Sequence, residues 1–187
     1  MTKLWLTYAW RDNEAEQVDY VIQRLQATGL EVGFDRARLI PGQRLWPQLD
    51  AAITDLAKSD AWAIYATKDS FSSEPCLEEL AYALDRALGC RGPSFPLIGI
   101  FPEPLDNSLI PRAIATRLYV SLQDPDWAGK VLAGANAEPP TLATKIIAPH
   151  VLVAYQDGGR LIWSYDPKPA GGIRSSPWCR LHSANAC

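Results

Sequence analysis

The sequence predicts an α/β domain with a mainly parallel sheet covered by helices on both faces, followed by a short β extension. Three observations predict it. Strand-like and helix-like segments alternate from residue 3 to about residue 135. The strand-like segments are short and mostly apolar, as strands buried on both faces must be. The helix-like segments carry apolar residues at steps of three and four, and they are long enough to serve as crossovers between parallel strands.

The first strand is KLWLTYA (3–9), a β-prone apolar run. EAEQVDYVIQRLQATG follows as a helix, with Val18, Val21, Ile22 and Leu25 on one face and Gly29 as its stop signal. LEVGFD (30–35) reads as the second strand. After a loop holding Pro41-Gly42, residues 44–58 place Leu45, Leu49, Ala52, Ile53 and Leu56 on one helical face. AWAIYAT (61–67) is the third strand, and residues 74–89 form a helix closed by Gly89. FPLIGIF (95–101) and RLYVSL (117–122) supply the fourth and fifth strands. DPDWAGKVLAGA (124–135) closes the series as a helix, with Asp124 at its N-cap and Pro125 in its first turn. The order is that of a flavodoxin-like three-layer domain with five strands. Such sheets bind ligands beyond the carboxyl ends of their strands, so the loops after residues 9, 35 and 67 are the expected site.

The alternation stops near residue 135, so residues 1–135 are taken as one domain and 136–187 as a C-terminal extension. Within the extension, VLVAYQDGGRLIWSY reads as a β-hairpin turning at Asp157-Gly158-Gly159. The final PKPAGGIRSSPWCRLHSANAC has no period. The extension is either an appendage or the start of a second domain.

Composition narrows the function. The chain has 187 residues, 48% of them hydrophobic and 21% charged, with a net charge of −3. That balance argues against a nucleic-acid footprint, which needs a basic face. No apolar run reaches the roughly 20 residues of a membrane span, and MTKLWLTYAW does not read as a signal peptide, so a cytoplasmic location is expected. Cys76, Cys90, Cys179 and Cys187 form no C-x-x-C pair and the two histidines, His150 and His182, lie far along the chain. Reduced structural thiols and no metal site are expected. The chain has no G-x-G-x-x-G, no P-loop and no G-x-S-x-G elbow. It also lacks the aspartates a phosphoacceptor receiver needs at the ends of the first and third strands.

One stretch raises a specific question. In SEPCLEELAYAL (73–84), Leu77, Leu80, Ala81 and Leu84, continued by Leu88, recur at helical steps and predict the buried face. Glu79 then lies opposite that stripe and Glu78 at its edge. By periodicity alone both are solvated carboxylates.

The surrounding segments resemble the boxes of Toll/interleukin-1 receptor (TIR) domains. LWLTYAWRDNE resembles the first box. LEVGFDRARLIPGQRLWPQLDAAITDLAKSD resembles the second strand, the BB loop and the next helix, matching at Asp35, Gly42, the Leu49…Ala52-Ile53 spacing and Ser59. WAIYATKDSFSSEPCLEEL resembles the third strand and the Ser-x-Trp-Cys-x-x-Glu-Leu box, with Ser73, Cys76, Glu79 and Leu80 on the matching positions. The resemblance runs over about residues 3–135. Pro75 stands where the family usually has a Trp that helps hold a nicotinamide ring, with Trp10, Trp46 and Trp62 as possible substitutes.

Many members of this family are NAD⁺ glycohydrolases, and the resemblance implies that activity here, with NAD⁺ as substrate and no cofactor. Cleaving the nicotinamide–ribose bond expels a neutral pyridine, so the demand is on stabilising an oxocarbenium-like transition state. One carboxylate can supply much of that stabilisation, and Glu79 is the matching residue. The expected substrate-binding set is Tyr8, Trp10, Arg11, Asp35, Arg36, Arg44, Ser73 and Cys76. Arg11, Arg36, Arg38 and Arg44 are the cations available to a pyrophosphate. Tyr8 reads equally as a buried structural residue, Ser73 as a helix N-cap, and Trp46 as a packing residue. The resemblance further implies self-association through the BB loop (Arg38, Leu39, Ile40, Pro41, Gly42), a partner sensor or effector protein, and a role in bacterial anti-phage defence or signalling. The alternatives are a non-enzymatic TIR–TIR scaffold or host-directed effector and, more distantly, an enzyme like the nucleoside 2-deoxyribosyltransferases.

Overall fold

The computed structural model describes residues 1–90, 95–141 and 150–167. The chain divides into two compact units, Met1–Thr141 and Leu142–Cys187.

In the first unit a five-stranded sheet has the order β2-β1-β3-β4-β5, every pair parallel. The strands are β1 (Lys3–Thr7), β2 (Glu31–Gly33), β3 (Ala61–Tyr65), β4 (Leu97–Phe101) and β5 (Val120–Ser121). The helices are α1 (Gln17–Gln26), α2 (Asp35–Arg38), α3 (Leu45–Thr54), α4 (Lys68–Ser72), α5 (Glu74–Gly89), α6 (Arg112–Ala115) and α7 (Trp127–Ala135). The three-layer α/β architecture read from the alternation is the one found.

The period-2 geometry of a strand sorts β1 between two cores. Leu4, Leu6 and, just past the strand, Tyr8 pack with Val18, Val21, Ile22 and Leu25 of α1 and Trp127, Ala128 and Val131 of α7. Trp5 and Ala9 face the other way, towards Leu49, Ala52 and Ile53 of α3 and Cys76, Leu80 and Ala83 of α5. β3 and β4 are buried at every position, which is why their sequences are almost wholly apolar. Gly99 is forced by packing: a Cβ there would lie 2.7 Å from the Phe101 ring and 3.0 Å from Ile114.

Several boundaries differ from the sequence reading. The fifth strand is only Val120–Ser121, and Leu118 is 96% exposed. Asp126, not Asp124, takes the N-cap of α7; Asp124-Pro125 belongs to the preceding turn, in which the Trp127 amide donates to the Asp124 carbonyl. The short helices α2, α4 and α6 have too few turns to leave a periodic signal.

The largest difference concerns α5. Its buried residues are Cys76, Glu79, Leu80, Ala83 and Arg86. Leu77 is 40% and Leu88 70% exposed, and Ala81 is also on the outside. The helix is therefore rotated from the leucine stripe, and its inward face carries two charged side chains. Each is matched by fixed partners. Arg86 donates to the carbonyls of Ile53 and Ser59 and to the Ser59 hydroxyl, and lies over the Phe95 ring. Glu79 accepts from β1. Buried polar groups held in this way outweigh the transfer of two leucines that stay at the surface.

The second unit contributes β6 (His150–Asp157) and β7 (Arg160–Pro167), paired antiparallel around Gly158-Gly159. Both glycines have positive φ, as a tight primed turn requires. The expected hairpin is present. Cys179, Cys187 and His182 lie outside the described residues.

Candidate functional site

Sheet order 2-1-3-4-5 reverses direction between β1 and β3, and a crevice opens beyond the carboxyl ends of those strands. A cavity of about 470 Å³ occupies it. Tyr8, Ala9, Trp10 and Arg11 reach it from the end of β1 and Asp35 from the end of β2; Ser73, Pro75, Cys76 and Glu79 reach it from the start of α5. The loops after residues 9, 35 and 67 thus meet at one place.

Glu79 is the chemical centre of this cavity by burial and bonding. It is 7% exposed. The indole Nε1 of Trp5 donates to its Oε2 at 2.7 Å, and the Thr7 hydroxyl donates to the same oxygen at 2.6 Å. Trp5 and Thr7 alternate along β1 onto the α5 side, so the strand pleat itself aims both donors at one carboxylate. Burial raises the Glu79 carboxyl to about 7; the two hydrogen bonds oppose the rise, and the charge of Asp35 adds to it. Glu78, its neighbour, is exposed.

Asp35 forms the opposite wall. The Tyr8 hydroxyl donates to its Oδ1 at 2.9 Å, and the Trp10 indole donates to its Oδ2. The Arg36 Nε in turn donates to the Tyr8 hydroxyl at 2.7 Å, while its Nη2 pairs with Asp19. Burial first, and the neighbouring Asp35 charge second, push the Tyr8 phenol upward, so it stays protonated and donating. Behind the cavity, Thr67 donates to both carboxylate oxygens of Asp12, whose carboxyl burial also raises. Cys76 is 2% exposed and burial pushes its thiol up to about 12, which removes it as a nucleophile near neutral pH. Ser73 takes the N-cap position of α5 without a side-chain capping bond; it bonds the Cys76 thiol instead.

The structure brings Tyr8, Trp10, Arg11, Asp35, Ser73, Cys76 and Glu79 together and leaves other expected residues out. Arg36 serves the Tyr8–Asp35 pair from behind. Arg38 and Arg44 face a different cavity. Of the tryptophans that were possible substitutes at the Pro75 position, only Trp10 lines this cavity; Trp62 is fully buried and Trp46 lies outside. Pro75 itself lines the cavity, at the second position of α5. Trp5 and Thr7 are the residues sequence reasoning missed. Their signal was present as a threonine inside an otherwise apolar strand, two places from a tryptophan.

Glu79 also corrects the periodicity reading, which set it on the solvated face. It is buried because β1 offers it two donors. Leu39, Leu45 and Leu49 complete an apolar side of the cavity. Pro41 and Gly42 form a turn closed by the Gln43 amide to the Ile40 carbonyl, with Gly42 at φ +84° as the third residue of a type II turn requires. The Gln48 side chain accepts from the Ile40 amide and donates to the Arg44 carbonyl, tying that loop to α3.

A doubly wound parallel sheet with a crevice at its switch point defines a class of α/β folds that bind ligands beyond the carboxyl ends of their strands. Within that class the family is specific: the TIR-domain family model matches residues 5–133, and the chain belongs to that family. Among solved structures it is similar to the TIR domains of the activated Roq1 resistosome directly recognizing the pathogen effector XopQ, at 21% identity and a TM-score of 0.47. That match covers 58% of this chain and 61% of the other. No curated protein matches the chain. Among the described residues no helix is long and apolar enough to cross a membrane, and no group of acidic, histidine and cysteine side chains is arranged to hold a metal ion.

Proposed function

We propose that this chain is a TIR-domain NAD⁺ glycohydrolase, cleaving the nicotinamide–ribose bond with Glu79 as its catalytic carboxylate. The observation that carries the reading is the buried Glu79 side chain opening onto a cavity at the sheet's switch point. Both donors hold Oε2, so Oε1 is the oxygen left for a ribose hydroxyl and for the positive charge that develops at C1′. In a water-poor site that charge is stabilised far more strongly than in bulk solvent. The C1′–N bond breaks with its electron pair leaving on the nicotinamide nitrogen. Water then adds to C1′ and releases a proton, giving nicotinamide and ADP-ribose; an internal nucleophile in place of water gives a cyclic product. Trp10 and Tyr8 supply aromatic faces, Asp35 a second carboxylate for a hydroxyl or amide, and Arg11 the cation nearest the cavity mouth.

Self-assembly is part of the proposal. The loop around Pro41-Gly42 presents Ile40, 55% exposed, and Leu45, 43% exposed. A second copy would bury them and narrow the cavity mouth formed by Leu39 and Leu45. A role in bacterial anti-phage defence or signalling, with a sensor or effector partner, follows from the family resemblance, and a cytoplasmic location is proposed with it. The competing reading is a TIR–TIR scaffold without activity, favoured by Pro75 where an aromatic would stack on the pyridine. Nicotinamide release from NAD⁺ separates the two. Wild-type protein at high local concentration releases it and Glu79→Gln does not; silence of both favours the scaffold.

A further inference from the structure

Of the four arginines singled out in the sequence, Arg11 alone lines the cavity of Glu79. Arg38 and Arg44 line a second cavity of about 650 Å³, between the start of α3 and the end of β2, which Lys58 also borders. We propose that this second cavity is a binding site for a phosphate-bearing small molecule.

Its lining is chemically one-sided. Three cations and Gln43 line it, with Gln48 held by the Ile40 amide and the Arg44 carbonyl, and no carboxylate is among the lining residues. Arg38 is paired with Glu31, and Lys58 lies 3.9 Å from Asp55, so both are partly neutralised from outside the cavity. Arg44 has no side-chain hydrogen bond or ion pair among the described residues. An unpaired guanidinium beside two further cations is a site for a bidentate oxyanion. The floor is apolar, made by Trp5, Pro47, Ala51 and Ala52, and it suits the body of an organic phosphate. The volume is within the range of small-molecule sites. The first cavity has the opposite balance, with Asp35, Asp69 and Glu79 against Arg11, so a free anion discriminates between them.

The two cavities share a partition. Trp5 is 2% exposed and lines the second cavity, while its Nε1 donates to Glu79 in the first. Gly33 makes room for the ring, since a Cβ there would approach its Cε3 to 3.3 Å. An occupant of the basic cavity packs on the side chain that holds Glu79.

Calorimetric titration of the full chain with inorganic pyrophosphate tests the site directly, whether or not the chain cleaves NAD⁺. Saturable binding is expected, weakening with added salt, and Arg44→Glu should weaken it about tenfold or more. Lys58→Glu, on a separate segment, should also weaken it, while Arg11→Glu leaves it intact. Both sites are exposed, and unchanged melting without pyrophosphate confirms that the variants fold. No binding to wild type overturns the proposal. So does equal binding to wild type, Arg44→Glu and Lys58→Glu, or loss confined to Arg11→Glu.

Discussion

Replacing Glu79 by Gln should make the protein more stable at alkaline pH while leaving it unchanged at acid pH. The carboxyl titrates at about 7 in the fold, against 4.5 in an unfolded chain. Between those values the native state holds a proton that the unfolded state has released, so stability falls as pH rises through the window. The full difference of 2.5 units, from 4.5 to about 7, corresponds to about 3 kcal/mol above pH 7, at 1.36 kcal/mol per unit. Glutamine keeps the shape and an oxygen for Trp5 and Thr7 but carries no charge. Chemical or thermal unfolding of both proteins from pH 4.5 to 8.5 reads the effect. At pH 8.5 the variant should unfold later by up to about 3 kcal/mol, or about 6–12 °C for a chain of this size; at pH 4.5 the two should coincide. A stability difference that does not change with pH would refute the assignment of Glu79 as a carboxylate held ionised at the expense of folding.

Other consequences follow from the same geometry. Thr7→Val removes a donor that pulls the Glu79 carboxyl downward, so the acid limb of any nicotinamide-release profile should move to higher pH; an unmoved midpoint would detach Thr7 from Glu79. Arg86→Met should cost about 2–4 kcal/mol in urea unfolding, because the carbonyls of Ile53 and Ser59 lose their donor. Leu77→Lys, on the exposed side of the same helix, should stay within about 0.5 kcal/mol, and a reversed order would mean that α5 is turned the other way. A chain ending at Thr141 should still unfold in one cooperative transition in urea, since Met1–Thr141 is a compact unit, and a broad non-cooperative loss of structure would contradict that.

The layers of this fold were legible because apolar patterning is a direct consequence of burial. α1 shows its core face in Val18, Val21, Ile22 and Leu25, all of which are buried. β3 and β4 advertise their central place through unbroken apolar runs. α5 misled the same reasoning, since a helix contributing a site turns polar groups inward and leaves Leu77 and Leu88 outside. Periodicity counts leucines and cannot see that β1 brings two donors to position 79. The box around Ser73, Cys76 and Glu79 located that glutamate where periodicity did not. Nearness in sequence puts Arg36, Arg38 and Arg44 beside Arg11, yet α2 turns Arg36 behind Tyr8 and carries Arg38 to the far side of Trp5. Short elements of one turn decide such placements, and one turn is too brief to leave a period.

If the carboxylate of Glu79 drives cleavage of the nicotinamide–ribose bond, nicotinamide release from NAD⁺ depends on it. Wild-type protein and Glu79→Gln are compared at pH 8, at concentrations or under crowding that force self-association. Wild type should release nicotinamide, with activity per subunit that rises with protein concentration, and the variant should lose nearly all release. Equal release by the two proteins would contradict that dependence.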